Sequence, residues 1–418
     1  MSSDQRKPLI RTRSWAQRTF GKMEEGSMRS SIFTLIASSM DTSCLSLPLI
    51  LHYVGVVPGL CLILASALGS LIGMNCICKA ASHRQIYSYS GLVYDVLGKG
   101  ASIILEVLMI LYIFFEIVGY QIICIITVVS FLKYFSIEID EYKNFIMLGY
   151  TTFVLFPMSL MKKLTGLKHL SLFSIGSILY LCVVLIIDFP HFQSTNELSE
   201  VSWVSMDNDF FPACSLAVFA FVWHMSVATV FSEMKDPSLK RMQKANSRVF
   251  LIQVLIYIFI AVFGYLSLLE DTPMFITERN PPKHYTSDLY MCIGRLLIVF
   301  VIMCTVMLFT ITCRQAIISL SSKFNKKEEV STLTHVLITA FILYGALSVS
   351  IAIPAAEVIF TFLGATYTIF AYVYPALLEV HNTKKGWGDK GNIMVIMLAA
   401  TFTIISGVGV INSAVKME

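Results

Sequence analysis

The sequence predicts an all-α integral membrane protein with about eleven transmembrane helices. Of its 418 residues, 56% are hydrophobic and only 14% are charged, whereas soluble globular domains carry about 25% charged residues. The mean hydropathy is +0.73. The apolar residues are gathered into stretches of about 20 residues, the length that one helix needs to cross the hydrocarbon core. Composition therefore favours one multi-span bundle over the roughly two or three soluble domains that the length alone would suggest.

The apolar stretches are numbered here as spans 1 to 11 in chain order. Each is predicted to be a helix, because backbone groups inside lipid must be satisfied within their own segment. The first thirty residues are polar and basic and are interpreted as a retained tail rather than a cleaved signal peptide. The predicted limits of the spans are 31–53, 57–78, 101–132, 144–161, 169–189, 209–232, 249–270, 287–313, 331–353, 356–378 and 392–413.

The distribution of lysine and arginine predicts the orientation of the bundle. Most of the 31 basic residues fall in alternate loops, beginning with seven in the N-terminal tail. The intervening loops are richer in acidic residues, such as Glu138, Asp140 and Glu141 between spans 3 and 4. Because short cytoplasmic loops carry an excess of basic residues, residues 1–30 are predicted to be cytoplasmic. With an odd number of spans, Glu418 is then predicted to lie outside.

Span 1 carries polar residues and a proline at the depth of the membrane centre. The run Met40–Pro48 contains the carboxylate of Asp41 and the hydroxyls of Thr42, Ser43 and Ser46. Proline removes a backbone donor and clashes with the preceding turn, while Thr and Ser side chains can bond the freed backbone groups. The helix is therefore predicted to open locally within residues 40–48.

Span 6 is also predicted to be interrupted, because Phe219–Ser226 places polar groups near its centre. Spans 1 and 6 lie five spans apart and would be corresponding members of two repeats, 31–189 and 209–378, with 392–413 as an additional helix. Irregular backbone at corresponding positions of inverted repeats is typical of a transporter binding site, since half-helix ends present free N–H and C=O groups to a charged solute.

Three stretches resemble the amino acid/auxin permease family, and within it the sodium-coupled neutral and lysosomal amino-acid transporters. Met40–Pro48 is similar to the family's first-helix signature. Phe219–His224, followed by Ser232–Pro237, is similar to the family's Phe-Ala-Phe-x-Cys-His and Glu-Leu-x-Asp/Asn-Pro motifs. Ser88–Gly98 before span 3 is the third stretch. With the eleven spans, the resemblance covers nearly the whole chain beyond residue 25.

The resemblance implies a LeuT-like fold with an inverted 5+5 repeat plus one helix. Substrate would lie between the broken spans 1 and 6 and be flanked by spans 3 and 8. Thr305 is similar to an eighth-helix threonine that is associated with sodium in the sodium-coupled members. Carried over by position, the substrate-binding residues would be Thr42, Ser43 and Cys44 in span 1 and Phe219, Ala220, Phe221 and Trp223 in span 6. Tyr120 in span 3 and Asp41 in span 1 complete the predicted binding set.

Two departures from the family pattern bear on ion coupling and on the break in span 1. Ala37 stands where the sodium-coupled members have an asparagine that helps to hold sodium, and the loss of an oxygen ligand weakens a cation site. Asp41 and Ser43 stand where the family has glycines, which removes some backbone freedom. Sodium coupling is therefore not a firm expectation, and H⁺ and Na⁺ both stay open as the coupling ion.

Asp41 is the strongest functional candidate among the ionisable residues within the spans. An acid in the bilayer costs about 2.5 to 3.5 kcal/mol on insertion scales, so such a group usually faces a cavity. We expect Asp41 to bind a cationic group of the solute or to take up a proton, with helix capping as the structural alternative. Glu116 and His224 are further coupling or gating candidates, against packing and hydrogen-bonded scaffolding respectively.

The sequence thus predicts a secondary amino-acid transporter that works by alternating access, with cationic substrates and proton coupling as finer expectations. A facilitative permease and a membrane amino-acid sensor stay open, whereas an enzyme is disfavoured because no compact acid/base or metal constellation is evident. The net charge of +4 argues against nucleic acid as a partner. We expect amino acids and membrane lipid as partners, no cofactor or metal, and a plasma, vacuolar or lysosome-type membrane as the location.

Overall fold

A computed structural model describes residues 26–40, 42–160, 167–193, 200–205, 207, 209–280, 288–324, 331–382 and 388–415. Throughout these ranges the regular secondary structure is helical. Nine helices among these residues are long and apolar enough to cross a membrane, and the bent pair formed by the halves of span 1 makes ten. The predicted all-α membrane architecture is therefore confirmed, with span 4 present as a shorter helical segment.

The helices follow the predicted order of spans. Spans 1 and 6 are each divided into two halves, called 1a, 1b, 6a and 6b, and short π-helical segments lie within spans 4 and 10. The bounds are 1a Met28–Ser39 and 1b Leu47–Val54; span 2 Val56–Arg84; span 3 Lys99–Lys133; span 4 Lys143–Tyr150, Thr151–Leu155 (π) and Phe156–Ser159; span 5 Leu167–Gln193; 6a Phe210–Phe219 and 6b His224–Ser232; span 7 Leu239–Leu268; span 8 Leu289–Phe324; span 9 Thr332–Ala352; span 10 Ala356–Thr368, Ile369–Val373 (π) and Tyr374–Asn382; and span 11 Lys390–Val415.

Several helices are longer than the apolar stretches that predicted them. Span 7 begins at Leu239 rather than 249, and span 8 ends at Phe324 rather than 313. The apolar run marks only the part of a helix that lies in hydrocarbon, and polar turns continue beyond it. A short helix at Tyr89–Leu97 was not among the predicted elements; it begins where Ser88 Oγ accepts a hydrogen bond from Gly91 N at 3.0 Å.

Backbone contacts between the segments at the ends of spans 1 and 6 define two faces of the bundle. On the first face, where Met28 begins span 1, Lys235 N donates to Gly26 O at 2.7 Å. On the second face, Ser205 N donates to Val54 O at 2.8 Å. Ion pairs tie separate spans together on the first face: Lys79 with Glu379 between spans 2 and 10, and Lys323 with Glu106 at 2.6 Å between spans 8 and 3.

A buried charge cluster lies on the second face, at the described part of the loop between spans 7 and 8, residues 269–280. The Arg279 side chain is fully buried and pairs with Asp188 at the end of span 5 and with Asp288 at 3.2 Å. Arg295 donates to the backbone oxygens of Thr277 and Arg279, both at 2.8 Å. Removing one partner of a buried pair leaves an uncompensated charge and costs about 3 to 5 kcal/mol. The cluster therefore ties residues 277–279 to the end of span 5 and to the start of span 8.

Glycines allow spans 6a, 10 and 11 to approach one another closely. A Cβ on Gly364 of span 10 would lie 2.0 Å from Ser215 O, and a Cβ on Gly409 of span 11 would lie 2.6 Å from Phe211 O. Such small residues at helix crossings let backbones meet within a membrane. The backbone of half-helix 6a is therefore packed directly against spans 10 and 11.

This close packing predicts opposite effects for two glycines of one helix. Gly409→Ala should destabilise the protein by about 1 to 3 kcal/mol, since the added methyl group collides with backbone. Gly407→Ala is the matched control, because no atom outside its own helix lies within 4 Å of the new Cβ; it should be neutral or stabilise by up to about 1 kcal/mol. Thermal unfolding of the detergent-solubilised variants measures both effects, and equal midpoints for the two variants would contradict the packing argument.

Candidate functional site

Span 1 is interrupted where the sequence predicts it. Helix 1a ends at Ser39, a 3-10 turn covers Thr42–Ser46, and 1b begins at Leu47 with Pro48 in its first turn. Proline suits that position because its missing N–H would have no partner inside the helix. The two halves are bent by 50°. Asp41 lies outside the described residues, so its predicted roles stay predictions.

Span 6 is interrupted between Phe219 and His224. No glycine or proline lies at this point, so the local sequence does not force the break. Backbone groups that lose their helical partners must be satisfied by other parts of the protein. Side chains from spans 2, 7 and 10 do this.

Tyr367 of span 10 holds the start of 6b. Its hydroxyl oxygen accepts hydrogen bonds from Trp223 N at 2.9 Å and from His224 N at 3.1 Å. It also lies 2.6 Å from His224 Nδ1. Tyr367 is fully buried. One hydroxyl group therefore satisfies two of the N–H groups that the first turn of 6b leaves without helical partners.

His224 is fully buried and both of its ring nitrogens have partners. Nε2 lies 3.1 Å from Ser70 O, and it must carry the hydrogen because a carbonyl oxygen cannot donate. Nδ1 then accepts from the Tyr367 hydroxyl. A protonated ring would have to donate to a Tyr367 oxygen that already accepts two hydrogen bonds. This geometry fits the scaffolding alternative for His224 better than a proton-carrying role.

Gln253 of span 7 joins the two breaks. Its Nε2 donates to Ser39 O, at the end of 1a, at 3.0 Å, and to Ala220 O, at the end of 6a, at 3.4 Å. Tyr257, one turn further along, also donates to Ser39 O at 3.0 Å. Ser70 Oγ of span 2 donates to Phe221 O at 3.0 Å. The carbonyls at both breaks are thus bonded by side chains of other spans.

The predicted binding residues of spans 1 and 6 are deeply buried around these breaks. The exposed fraction is at most 4% for each of Thr42, Ser43, Cys44, Phe219, Ala220, Phe221 and Trp223. Tyr120 is also fully buried, and its ring lies 5.6 Å from that of Phe309 of span 8. Spans 3 and 8 therefore meet beside one predicted residue, in the way that the family resemblance implies. The Trp223 indole nitrogen is buried without a hydrogen-bond partner.

Glu116 and Thr305, the remaining coupling candidates, have different environments. Glu116 is 3% exposed and accepts a hydrogen bond from the Tyr112 hydroxyl at 3.3 Å. The Tyr112 ring lies 5.5 Å from that of Tyr367, which places Glu116 near the hydrogen bonds that Tyr367 makes with the start of 6b. Thr305 is half-buried and donates to Val301 O of its own helix at 2.9 Å. Its hydroxyl is therefore engaged locally.

A cavity of about 910 Å³ lies on the second face among the ends of spans 3, 4, 8 and 9 and the loop between spans 7 and 8. Its lining includes Lys133, Lys143, Glu278 and Arg295, but none of the predicted site residues that the structure describes. Burial raises the pKa of Glu278 to about 7, although a hydrogen bond from the Phe275 backbone lowers it. The cavity is separate from the two breaks.

The sequence analysis missed the residues that support the breaks. Gln253 and Tyr257 could have been found, because two polar groups one helical turn apart within an apolar span share a face. Ser70 and Tyr367 carry no comparable signal, since isolated hydroxyls are common in membrane helices. Their partners lie more than 140 positions away along the chain.

Comparison with known proteins agrees with this architecture. The chain is 24% identical to the sodium-coupled neutral amino acid symporter 2 of Danio rerio, over 93% of this chain and 81% of that protein. It is 22% identical to the vacuolar amino acid transporter 2 of Saccharomyces cerevisiae, over 92% and 85% respectively. The chain spans less than half of its Plasmodium and Toxoplasma relatives, covering for example 43% of the Plasmodium falciparum protein AAT1 at 22% identity over 62% of this chain.

Solved structures with the same fold are LeuT-fold transporters. MhsT in complex with L-phenylalanine matches with a TM-score of 0.54 at 14% identity, over 94% of this chain and all of that one. Mhp1 in its inward-facing conformation matches with a TM-score of 0.54 at 13% identity, over 93% and 88%. The predicted LeuT-like fold is therefore confirmed.

The relatives and fold neighbours are transporters rather than enzymes, which bears out the expectation that the protein is not an enzyme. A family model described as transmembrane amino acid transporter protein matches residues 24–417, nearly the whole chain. The chain therefore belongs to the transmembrane amino acid transporter family.

Proposed function

We propose that the protein moves amino acids across a membrane by alternating access, with the solute bound between the breaks of spans 1 and 6. The observation that carries the proposal is the pair of interrupted helices, tied together through Gln253 and lined by buried residues. Discontinuous helices of this kind hold solute and coupling ions near the bilayer midplane in secondary transporters. Family membership and the names of the relatives support amino acids as the substrate class.

The ends of the half-helices suggest how a zwitterionic solute is held. The 3-10 turn Thr42–Ser46 leads into the N-terminal end of 1b, which carries the positive end of a helix dipole and suits the solute carboxylate. The aromatic residues Phe219, Phe221 and Trp223 offer an apolar wall on span 6. The buried indole nitrogen of Trp223 is a donor that a bound solute would satisfy.

We infer from the sequence that Asp41, beside this turn, makes the solute preference cationic or carries a coupling proton. A bound ammonium or guanidinium group would keep the carboxylate ionised, whereas desolvation in an empty site would favour its protonated form. Glu116 is the second candidate for a proton, since it is buried and bonded to Tyr112. Symport with H⁺ or Na⁺ is the expected mode, and uncoupled permeation or amino-acid sensing are the alternatives.

The basic loops favour a cytoplasmic first face. The sodium-coupled and vacuolar relatives support the plasma membrane or a vacuole/lysosome-type membrane as the location. Uptake of labelled arginine and alanine into liposomes that contain the purified protein tests the proposed function directly. Accumulation against a gradient of H⁺ or Na⁺ supports symport, and equilibration alone supports a facilitative permease. Saturable binding without any flux would contradict transport and favour a sensor.

Replacement of Asp41 tests the cationic preference. Loss of one hydrogen bond to a charged group costs about 1.5 to 3 kcal/mol, so Asp41→Asn should lower arginine flux by about 10- to 100-fold relative to alanine flux. If Asp41 carries the proton instead, the variant should lose the response of flux to a pH gradient. Asp236→Asn is the control, because its side chain is 97% exposed. An unchanged solute ranking together with an unchanged pH response would refute both roles.

Replacement of Tyr367 tests whether the hydrogen bonds between its hydroxyl group and the start of 6b are needed for transport. Tyr367→Phe leaves the N–H groups of Trp223 and His224 without an acceptor, and each buried unsatisfied group costs about 1 to 3 kcal/mol. We expect a lower thermal unfolding midpoint and a flux reduced by about tenfold or more.

Tyr374→Phe on the same span provides the control for this variant. It removes one hydrogen bond, donated at 3.0 Å to Ala101 O at the start of span 3 rather than to a backbone group of a break. This control should lose some stability but keep its flux per folded molecule. Equal flux in the two variants would show that the Tyr367 hydroxyl supports folding only.

A further inference from the structure

The carboxamide of Gln253 occupies a position where a coupling ion would be expected. In transporters with discontinuous helices, unwound carbonyls and the C-terminal ends of half-helices coordinate Na⁺ or H⁺. Ser39 O and Ala220 O are such carbonyls, one at the end of 1a and one at the end of 6a. Both are engaged by a single nitrogen, Gln253 Nε2, at 3.0 and 3.4 Å.

The orientation of this amide follows from its partners. Both acceptors are carbonyl oxygens and cannot donate, so the NH₂ group rather than the oxygen must face them. Its two hydrogens carry partial positive charge toward two oxygens, as a small cation would. Gln253 is 1% exposed, and its Oε1 is buried without a hydrogen-bond partner. The amide therefore lies within the protein and is directed at the two breaks.

We propose that the Gln253 carboxamide is a built-in substitute for a cation between half-helices 1a and 6a. It holds the two half-helix ends together permanently, whereas a bound ion would join them only while it is present. This inference rests on the proposed transport function and adds to it: ion coupling, by whichever ion, does not pass through these two carbonyls. Gln253 is a positioning residue, since it acts on the solute through the backbone of the breaks.

The variant Gln253→Glu distinguishes this role from simple packing. It keeps the length of the side chain but replaces the NH₂ group by a carboxylate oxygen. That oxygen would then lie beside Ser39 O and Ala220 O with no hydrogen between them. Such a set of oxygen ligands is what a hard cation prefers. The variant should therefore need a cation, or a proton on the new carboxyl group, to join the two half-helix ends that the wild-type amide joins by itself.

Gln121→Glu is the matched control. Gln121 is also buried, donates through Nε2 to one carbonyl, Leu343 O at 3.4 Å, and has an unpartnered Oε1. That carbonyl lies within the continuous helix of span 9. A single carbonyl in an intact helix does not provide a cation site, so this control should gain no ion dependence.

Labelled solute flux into liposomes is measured with sodium or with choline, at neutral and at mildly acidic pH. In Gln253→Glu the ratio of sodium flux to choline flux at neutral pH should rise about tenfold over the wild-type ratio. Acidic pH should bring it back toward the wild-type value, because a protonated carboxyl can donate to a carbonyl. Gln121→Glu should keep the wild-type ratio. A folded Gln253→Glu protein with the wild-type ratio would overturn the proposal.

Thermal unfolding in detergent provides a second measurement that does not depend on transport. Sodium, compared with choline, should raise the unfolding midpoint of Gln253→Glu beyond any effect on the wild type. If that variant does not fold in either salt, Gln253→Ala is used, since it vacates the space beside the two carbonyls and should also gain stabilisation by sodium. Absence of such a gain in every folded variant would refute the substitution of a cation. A wild type that moves no solute would refute the proposed function alone.

Discussion

Every polar backbone group near the centre of the bundle must find a partner inside the protein, and this constraint governs the site. In hydrocarbon an unsatisfied N–H or C=O costs several kcal/mol. An interrupted helix is therefore tolerated only where other elements replace the lost hydrogen bonds. Tyr367, Ser70 and Gln253 do so from spans 10, 2 and 7. The breaks are consequently features of the whole bundle rather than of spans 1 and 6 alone.

Close helix packing is what allows these short side chains to reach the breaks. A Cβ on Gly73 of span 2 would lie 2.1 Å from Ala371 O and 2.9 Å from His224 Nε2. A Cβ on Gly264 of span 7 would lie 2.4 Å from Pro48 Cγ. Both positions bring a supporting helix against an interrupted one, and any larger residue would push the hydrogen-bonding groups apart. The glycines let the helices approach closely enough for the polar side chains to bond the backbone groups of the breaks.

The sequence indicated the breaks but not their partners, for physical reasons. Pro48 and the neighbouring hydroxyls have local consequences for a helix, so the opening of span 1 could be predicted from nearby residues. The break in span 6 was predicted from polar residues and from its place five spans later, without a local breaker. Tyr367 and Gln253 act through tertiary contacts, and no local sequence pattern indicates which backbone groups they bond. The ends of spans 7 and 8 were missed because helical hydrogen bonding continues after hydrophobicity stops.

Span 10 is bonded to other helices before, within and after its π-helical segment. Before that segment, Tyr367 binds the start of 6b, and after it Glu379 pairs with Lys79 on the first face. The segment Ile369–Val373 lies between the two attachments. A π turn holds an extra residue and is a common place for a helix to change its winding. Within the segment, Phe370 O accepts from the Tyr89 hydroxyl at 2.7 Å and the Tyr372 hydroxyl donates to Ser66 O at 3.3 Å. Any rewinding of span 10 would therefore disturb its contacts with span 2 and with the short helix before span 3.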